Sequence, residues 1–177
     1  MNRTLLVAGA SLALFPCAVA HAQSTGLVPV RVKIGALLPS QAGAKRQSGS
    51  VVPAAEVDVR IPGFLGGSFA SVGYQERGKS GGKLRVIPLT ISRTFAPPNP
   101  VGRVTGNVYA GIGAGPYFLQ GRNGAGASKS LTTLGGFAQV GYQTPSKFFV
   151  EAKYQITAQK VAGLSPNGLL LFVGTTF

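Results

Sequence analysis

The chain has 177 residues and a formal net charge of +13, with 17 lysines and arginines against 4 aspartates and glutamates. That length suits one domain with a core of its own and leaves little room for two. A single cysteine excludes a disulfide framework, and 26 glycines with 12 prolines exclude a mainly helical domain.

Residues 1–22 read as an export signal. Asn2 and Arg3 give a short positive start, Leu5 to Ala20 is almost unbroken apolar sequence, and Ala20-His21-Ala22 is a small-x-small cleavage site. The mature domain is then expected to span residues 23–177. Cys17 leaves with the signal, and Leu14-Phe15-Pro16 before it is too bulky for a lipoprotein site. His21, the only histidine, leaves as well, and the loss of Arg3 takes the net charge from +13 to +12. So positive a chain suits anionic neighbours. Export argues against nucleic acid, and basic residues spread along the chain favour a membrane surface.

After residue 22 no apolar run is long enough for a spanning helix. Alternation broken by Gly, Pro, Ser and Asn clusters predicts eight strands instead. They run about Leu27 to Leu37, Ala55 to Ile61, Ser68 to Gln75, Lys83 to Phe95, Val104 to Phe118, Leu131 to Gln143, Lys147 to Thr157 and Asn167 to Phe177. In the first, Val28, Val30, Val32, Ile34 and Ala36 oppose Arg31, Lys33 and Gly35. In the seventh, Phe148, Val150, Ala152, Tyr154 and Ile156 oppose Glu151, Lys153 and Gln155. The second and third are short for a membrane strand. The longer connections, Pro39 to Ala54, Arg77 to Gly82, Leu119 to Ser130 and Gln159 to Pro166, fall on one side; Pro62 to Gly67, Ala96 to Arg103 and Thr144-Pro145-Ser146 fall on the other.

Alternation also suits a soluble sandwich, so the choice rests on further features. Charge and glycine share the non-apolar face, and Arg31 and Lys33 can meet Glu56 and Asp58 across one hairpin. In hydrocarbon every backbone group must pair, so a sheet there can have no edge. The last strand must therefore bond the first, and Leu169, Leu171, Val173, Thr175 and Phe177 alternate to the last residue. Leu170 and Phe172 make its other face apolar too. Tyr142, Phe148, Tyr117, Phe118 and Phe95 are placed to form interfacial girdles. The expected fold is an all-β, antiparallel, eight-stranded transmembrane barrel with meander topology.

The chain resembles the small outer-membrane β-barrel families of Gram-negative-type bacteria, the eight-stranded porin-like and adhesin-like barrels. The segments that carry the resemblance are Arg31-Val32-Lys33-Ile34-Gly35, Tyr109-Ala110-Gly111-Ile112-Gly113-Ala114-Gly115, Phe149-Val150-Glu151-Ala152-Lys153-Tyr154 and Val173-Gly174-Thr175-Thr176-Phe177. It covers essentially all of residues 23–177. It implies an outer-membrane location, with the strand ending in Phe177 as the signal read by the barrel-assembly machinery.

Chemistry-bearing groups are few. Without a histidine or cysteine the mature chain lacks the usual base for a serine nucleophile, the thiol nucleophile and the commonest zinc ligands. Glu56 and Asp58 share a face as an acid pair would, but Arg31, Lys33 and Arg60 nearby point to a structural ion network. Residues 123–130 imitate a phosphate loop, except that Ser128 stands where a glycine is needed before Lys129. Gly111, Gly113 and Gly115 repeat at strand period, as close packing inside a barrel requires.

The expected lumen network is Arg31, Lys33, Glu56, Asp58, Arg60, Glu151 and Lys153. Lys45, Arg46, Arg77, Lys79, Lys83, Arg122 and Lys129, on the outer connections, are candidate contacts for lipopolysaccharide or other surface polyanions. The expected function is a non-enzymatic, cofactor-free outer-membrane barrel with a structural or adhesin-like role, partnered by outer-membrane lipid and not by nucleic acid. Two alternatives stay open: a narrow anion-preferring channel with Arg31, Lys33, Arg60, Arg85 and Lys153 pointing inward, and a secreted soluble β-sandwich that binds polyanions.

Overall fold

A computed structural model describes residues 28–63, 67–79, 82–95, 107–122 and 125–177. The expected signal segment and the 96–103 connection lie outside the described residues. Eight strands follow in chain order: β1 (Val30–Pro39), β2 (Val52–Arg60), β3 (Ser68–Lys79), β4 (Gly82–Phe95), β5 (Asn107–Arg122), β6 (Ser128–Gln143), β7 (Phe148–Thr157) and β8 (Gly168–Thr176). Each pairs antiparallel with the next, and β8 returns to β1 with Ile34 opposite Val173 and Arg31 opposite Thr176. The sheet is a closed barrel, so the two-sheet sandwich is excluded: no strand keeps an unpaired edge. Closure is also what a bilayer demands of a sheet.

Every strand sequence alternates, and closure sorts the two sets. Val32, Ile34, Val72, Leu89, Ile91, Ile112, Leu134, Val140, Val150, Ile156, Leu171 and Val173 all stand exposed on the outer wall. So continuous an apolar outer surface is unstable in water and stable in lipid. On β4, Arg85 and Arg93 bracket Ile87, Leu89 and Ile91 on that wall. Eight residues at ~3.3 Å each, tilted ~40°, give a height of about 20 Å, close to the apolar band of such barrels. Arg93 lies 5.1 Å from the Phe95 ring centroid at the lower margin, and Phe148 and Phe177 are exposed at the same rim. An outer wall of this height and composition fits the apolar band of a bilayer. The rim where β1 begins and β8 ends is the near rim, and the opposite one the far rim.

Three expectations need correction. Tyr117 was expected in an outer girdle but is buried inside the barrel, because it falls on the inward set of β5 with Tyr109 and Leu119. Arg85 points outward, not into the lumen, because it shares the β4 face of Lys83 and Ile87. The 39–54 connection holds a short helix, α1 (Ala42–Ser48), where no helical periodicity is visible. The strands also overshoot the apolar belt at the far rim: β3 runs to Lys79 instead of Gln75, and β5 to Arg122 instead of Phe118. Alternation reports only the stretch that meets lipid, whereas ladder hydrogen bonds continue beyond it.

Ring packing in the lumen depends on absent side chains. A Cβ on Gly141 would lie 2.3 Å from Cζ of Tyr109, so glycine lets that ring lie over β6 toward Glu151 on β7. Gly141→Ala is expected to lower stability by about 1–3 kcal/mol through overpacking. Urea unfolding of the barrel in detergent micelles measures it.

Candidate functional site

The lumen and the far rim hold nearly all the polar chemistry, and they hold it differently. In the middle of the lumen Lys33 of β1 sits among three carboxylates. Its Nζ lies 2.8 Å from Glu56 Oε1, 3.0 Å from Asp58 Oδ2 and 2.8 Å from Glu151 Oε1. Register explains the first contact, since Lys33 stands directly opposite Glu56 on β2. Glu151 reaches it from β7, two strands round the barrel on the other side of β8. Lys153 Nζ pairs with the same Glu56 oxygen, and Tyr109 OH donates to Glu151 Oε2 at 3.0 Å. All five charged residues are buried.

Arg31 behaves differently. It stands opposite Asp58, yet its guanidinium lies 5.0, 4.7 and 4.8 Å from the ring centroids of Phe69, Tyr109 and Phe149. Its Nη2 donates to Gln143 Oε1 at 3.4 Å. A guanidinium is weakly hydrated and stacks well on rings, so an aromatic cage suits it better than it would an ammonium. Arg31 Nη1 and Asp58 Oδ1 are buried without a hydrogen-bond partner among the described residues. Arg60, expected in the network, ends β2 at the near rim, exposed and outside the ion pairs. Its place on the inward face of the alternation holds, but the barrel wall ends before it is enclosed.

The lumen's charges cancel: Arg31, Lys33 and Lys153 face Glu56, Asp58 and Glu151. Among the described residues no group of metal-ligating side chains is placed to hold a metal ion. Balanced in sign, with Lys33 and Lys153 ion-paired to the three carboxylates, these groups brace the wall.

Above them the lumen holds a buried pair of amides, Gln75 and Gln155, bonded at 3.0 Å, and two apolar clusters. Leu37, Val52, Ala54, Leu170 and Phe172 pack as one buried cluster. Leu84, Val86, Tyr117, Leu119, Val161 and Leu164 form another. The second includes a loop: Val161 and Leu164 exchange backbone hydrogen bonds of 2.9 and 2.8 Å around Ala162-Gly163. Both central residues have positive φ, 49° and 79°, as a tight reversed turn requires, and glycine meets that at no steric cost. The turn lowers two aliphatic side chains into the far mouth. Composition conceals this plug; the apolar second face of β8, Leu170 and Phe172, signals only the other cluster.

At the far rim the picture is reversed. Lys45 and Arg46 on α1, and Arg122 and Lys129 at the β5–β6 hairpin, are exposed. Arg77 donates to the Val51 carbonyl. Lys79 ends β3. Lys83 Nζ lies 2.8 Å from Glu76 Oε1, and the outward-facing Arg85 pairs with Glu76 Oε2. Lys160 is exposed on the β7–β8 loop. Glu76 is the one side-chain carboxylate outside the lumen, so the eight basic side chains described at that rim share a single counter-charge.

No protein-family model matches the chain, and no curated protein matches it. Among solved structures, it is similar to the crystal structure of Neisserial surface protein A, at 15% identity with a TM-score of 0.47. The alignment covers 84% of this chain and 94% of that one. The fold of this chain rests on its own closed hydrogen-bond register: an eight-stranded antiparallel barrel with an apolar outer wall.

Proposed function

We propose that the chain is a non-enzymatic outer-membrane barrel whose role is structural or surface-interacting, working through a basic far rim that faces outward from the cell. The observation that carries this reading is the partition of charge. Three of the four carboxylates are used up inside the lumen against three cations, so the whole net charge of the domain falls outside it. Most of that charge gathers at one end. A rim of this sign favours lipopolysaccharide phosphates and other surface polyanions, held by electrostatics that salt screens.

The export signal read at residues 1–22 and the strand ending in Phe177 support passage to the outer membrane through the barrel-assembly machinery. The two apolar clusters that fill the far half of the lumen argue against the channel alternative. An eight-stranded lumen has room for side chains and little else.

Three measurements test this. The detergent-extracted protein is expected to migrate faster on SDS gels unboiled than boiled; appearance in the soluble fraction with no shift would overturn the membrane reading. In planar bilayers the folded protein is expected to pass no measurable current, and steady anion-selective openings would restore the channel. Binding of purified lipopolysaccharide to the folded barrel should weaken steeply as salt is raised.

A further inference from the structure

The far rim is not uniformly basic. On its outer wall, Lys83 and Arg85 of β4, Gln120 and Arg122 of β5 and Ser128 of β6 line a single cleft of about 140 Å³. Register builds it: Lys83 stands opposite Arg122, Arg85 opposite Gln120, and Arg122 opposite Ser128. Two like charges directly across a strand pair repel and destabilise the sheet unless an anion lies between them. The nearest carboxylate is already occupied. Glu76 takes Lys83 and Arg85 and accepts from Tyr74 OH at 2.6 Å, while Arg85 Nη1 donates to Gln120 Oε1 at 3.2 Å. Arg122, by contrast, has no ion pair among the described residues.

The height of the cleft matters as much as its charge. These side chains leave the outer wall, not the lumen or the loop tips, and the next outward residues below them are Ile87, Leu89 and Phe118. A ligand with an anionic head in the cleft would therefore lay an apolar tail on the belt. Arg122 offers a planar fork and Lys83 a point charge, the combination that suits a tetrahedral dianion with several oxygens.

We propose that this cleft is a specific site for the phosphate head of an acylated, phosphorylated membrane glycolipid, with its acyl chains lying along the outer wall of β4 and β5. The proposal rests on the membrane reading above and sharpens it from a diffuse rim to one place.

The test uses folded barrel in a neutral detergent, with the boiling shift as proof of folding for every variant. The probes are diphosphorylated lipid A, the same lipid with both phosphates removed, and inorganic phosphate. Losing a charge-assisted contact at a half-exposed site should weaken lipid A binding about tenfold in Arg122→Ala and comparably in Lys83→Ala. Arg122→Lys, which keeps charge and loses the fork, should fall between that variant and wild type. Lys160→Ala, with the same charge change at the same rim, should change binding by less than about twofold. The dephosphorylated lipid and inorganic phosphate should each bind much more weakly than lipid A. Equal losses in Arg122→Ala and Lys160→Ala would overturn the site in favour of a diffuse field. Inorganic phosphate binding as tightly as lipid A would overturn the lipid, and undiminished binding of the dephosphorylated lipid would overturn the phosphate. A wild-type protein without a boiling shift would overturn the membrane barrel itself, a failure distinct from any of these.

Discussion

Lys33→Met is expected to lower the stability of the barrel by about 3–5 kcal/mol, because it removes one partner of a buried network and strands the others. Methionine keeps the unbranched stem, so little packing is lost; the change is mainly one of charge. Three carboxylates, Glu56, Asp58 and Glu151, then share only Lys153 and the distant, ring-caged Arg31. At 1% exposure for the Lys33 side chain, water does little to compensate. The double variant Lys33→Met/Glu151→Gln should recover part of the loss, since it restores the balance of sign, and the two effects should be clearly non-additive. Urea titration of the micelle-bound barrel, followed by the unboiled band, reads both. An unchanged midpoint in Lys33→Met would mean that the lumen is wetter than its burial implies, and the bracing role of the network would be lost.

Leu89→Arg carries the second large effect and tests the other side of the wall. Leu89 lies midway between Arg85 and Arg93, points outward and is 49% exposed. In water such a substitution would change stability by within about 0.5 kcal/mol. At the midplane of a bilayer an arginine costs about 2–4 kcal/mol, falling to ~0–1 kcal/mol near the interface. Ser130→Arg, outward at the far rim and opposite the uncharged Gln120, is the matched control and is expected to be nearly neutral. The measurement is the unfolding free energy of barrels refolded into lipid vesicles. Equal responses at the two positions would mean that the exposed apolar wall does not face hydrocarbon.

The two predictions probe parts of the molecule that differ in how legible they are. The outer wall is local information. Val32, Ile34 and Ala36 alternate with Arg31, Lys33 and Gly35, and a period of two assigns each set to opposite faces whatever the rest of the chain does. Strand count, antiparallel order and the pairing of Lys33 with Glu56 and Asp58 follow from neighbouring segments joined by one hairpin. Even Tyr117 needed only the correct parity within β5. Its position near an expected strand end was misleading, because the ladder continues four residues beyond the last lipid-facing aromatic, Phe118, to Arg122.

What pairs across the lumen is a different matter. Glu151 meets Lys33 from 118 residues away, and Arg31 leaves its direct neighbour Asp58 for rings on β3, β5 and β7. These partners become neighbours only once β8 has closed on β1, and then the width of the barrel selects among them. The plug is decided in the same way: Val161 and Leu164 belong to a loop with no periodic pattern, and they are buried because the mouth they cover is apolar. Alternation along the chain thus determined by itself that each strand carries one apolar and one polar or charged face, and closure made the apolar face the outer wall. Closure alone decided which charges neutralise one another, which end is sealed and where unpaired positive charge remains, because each of these depends on distances across the lumen that no local pattern encodes.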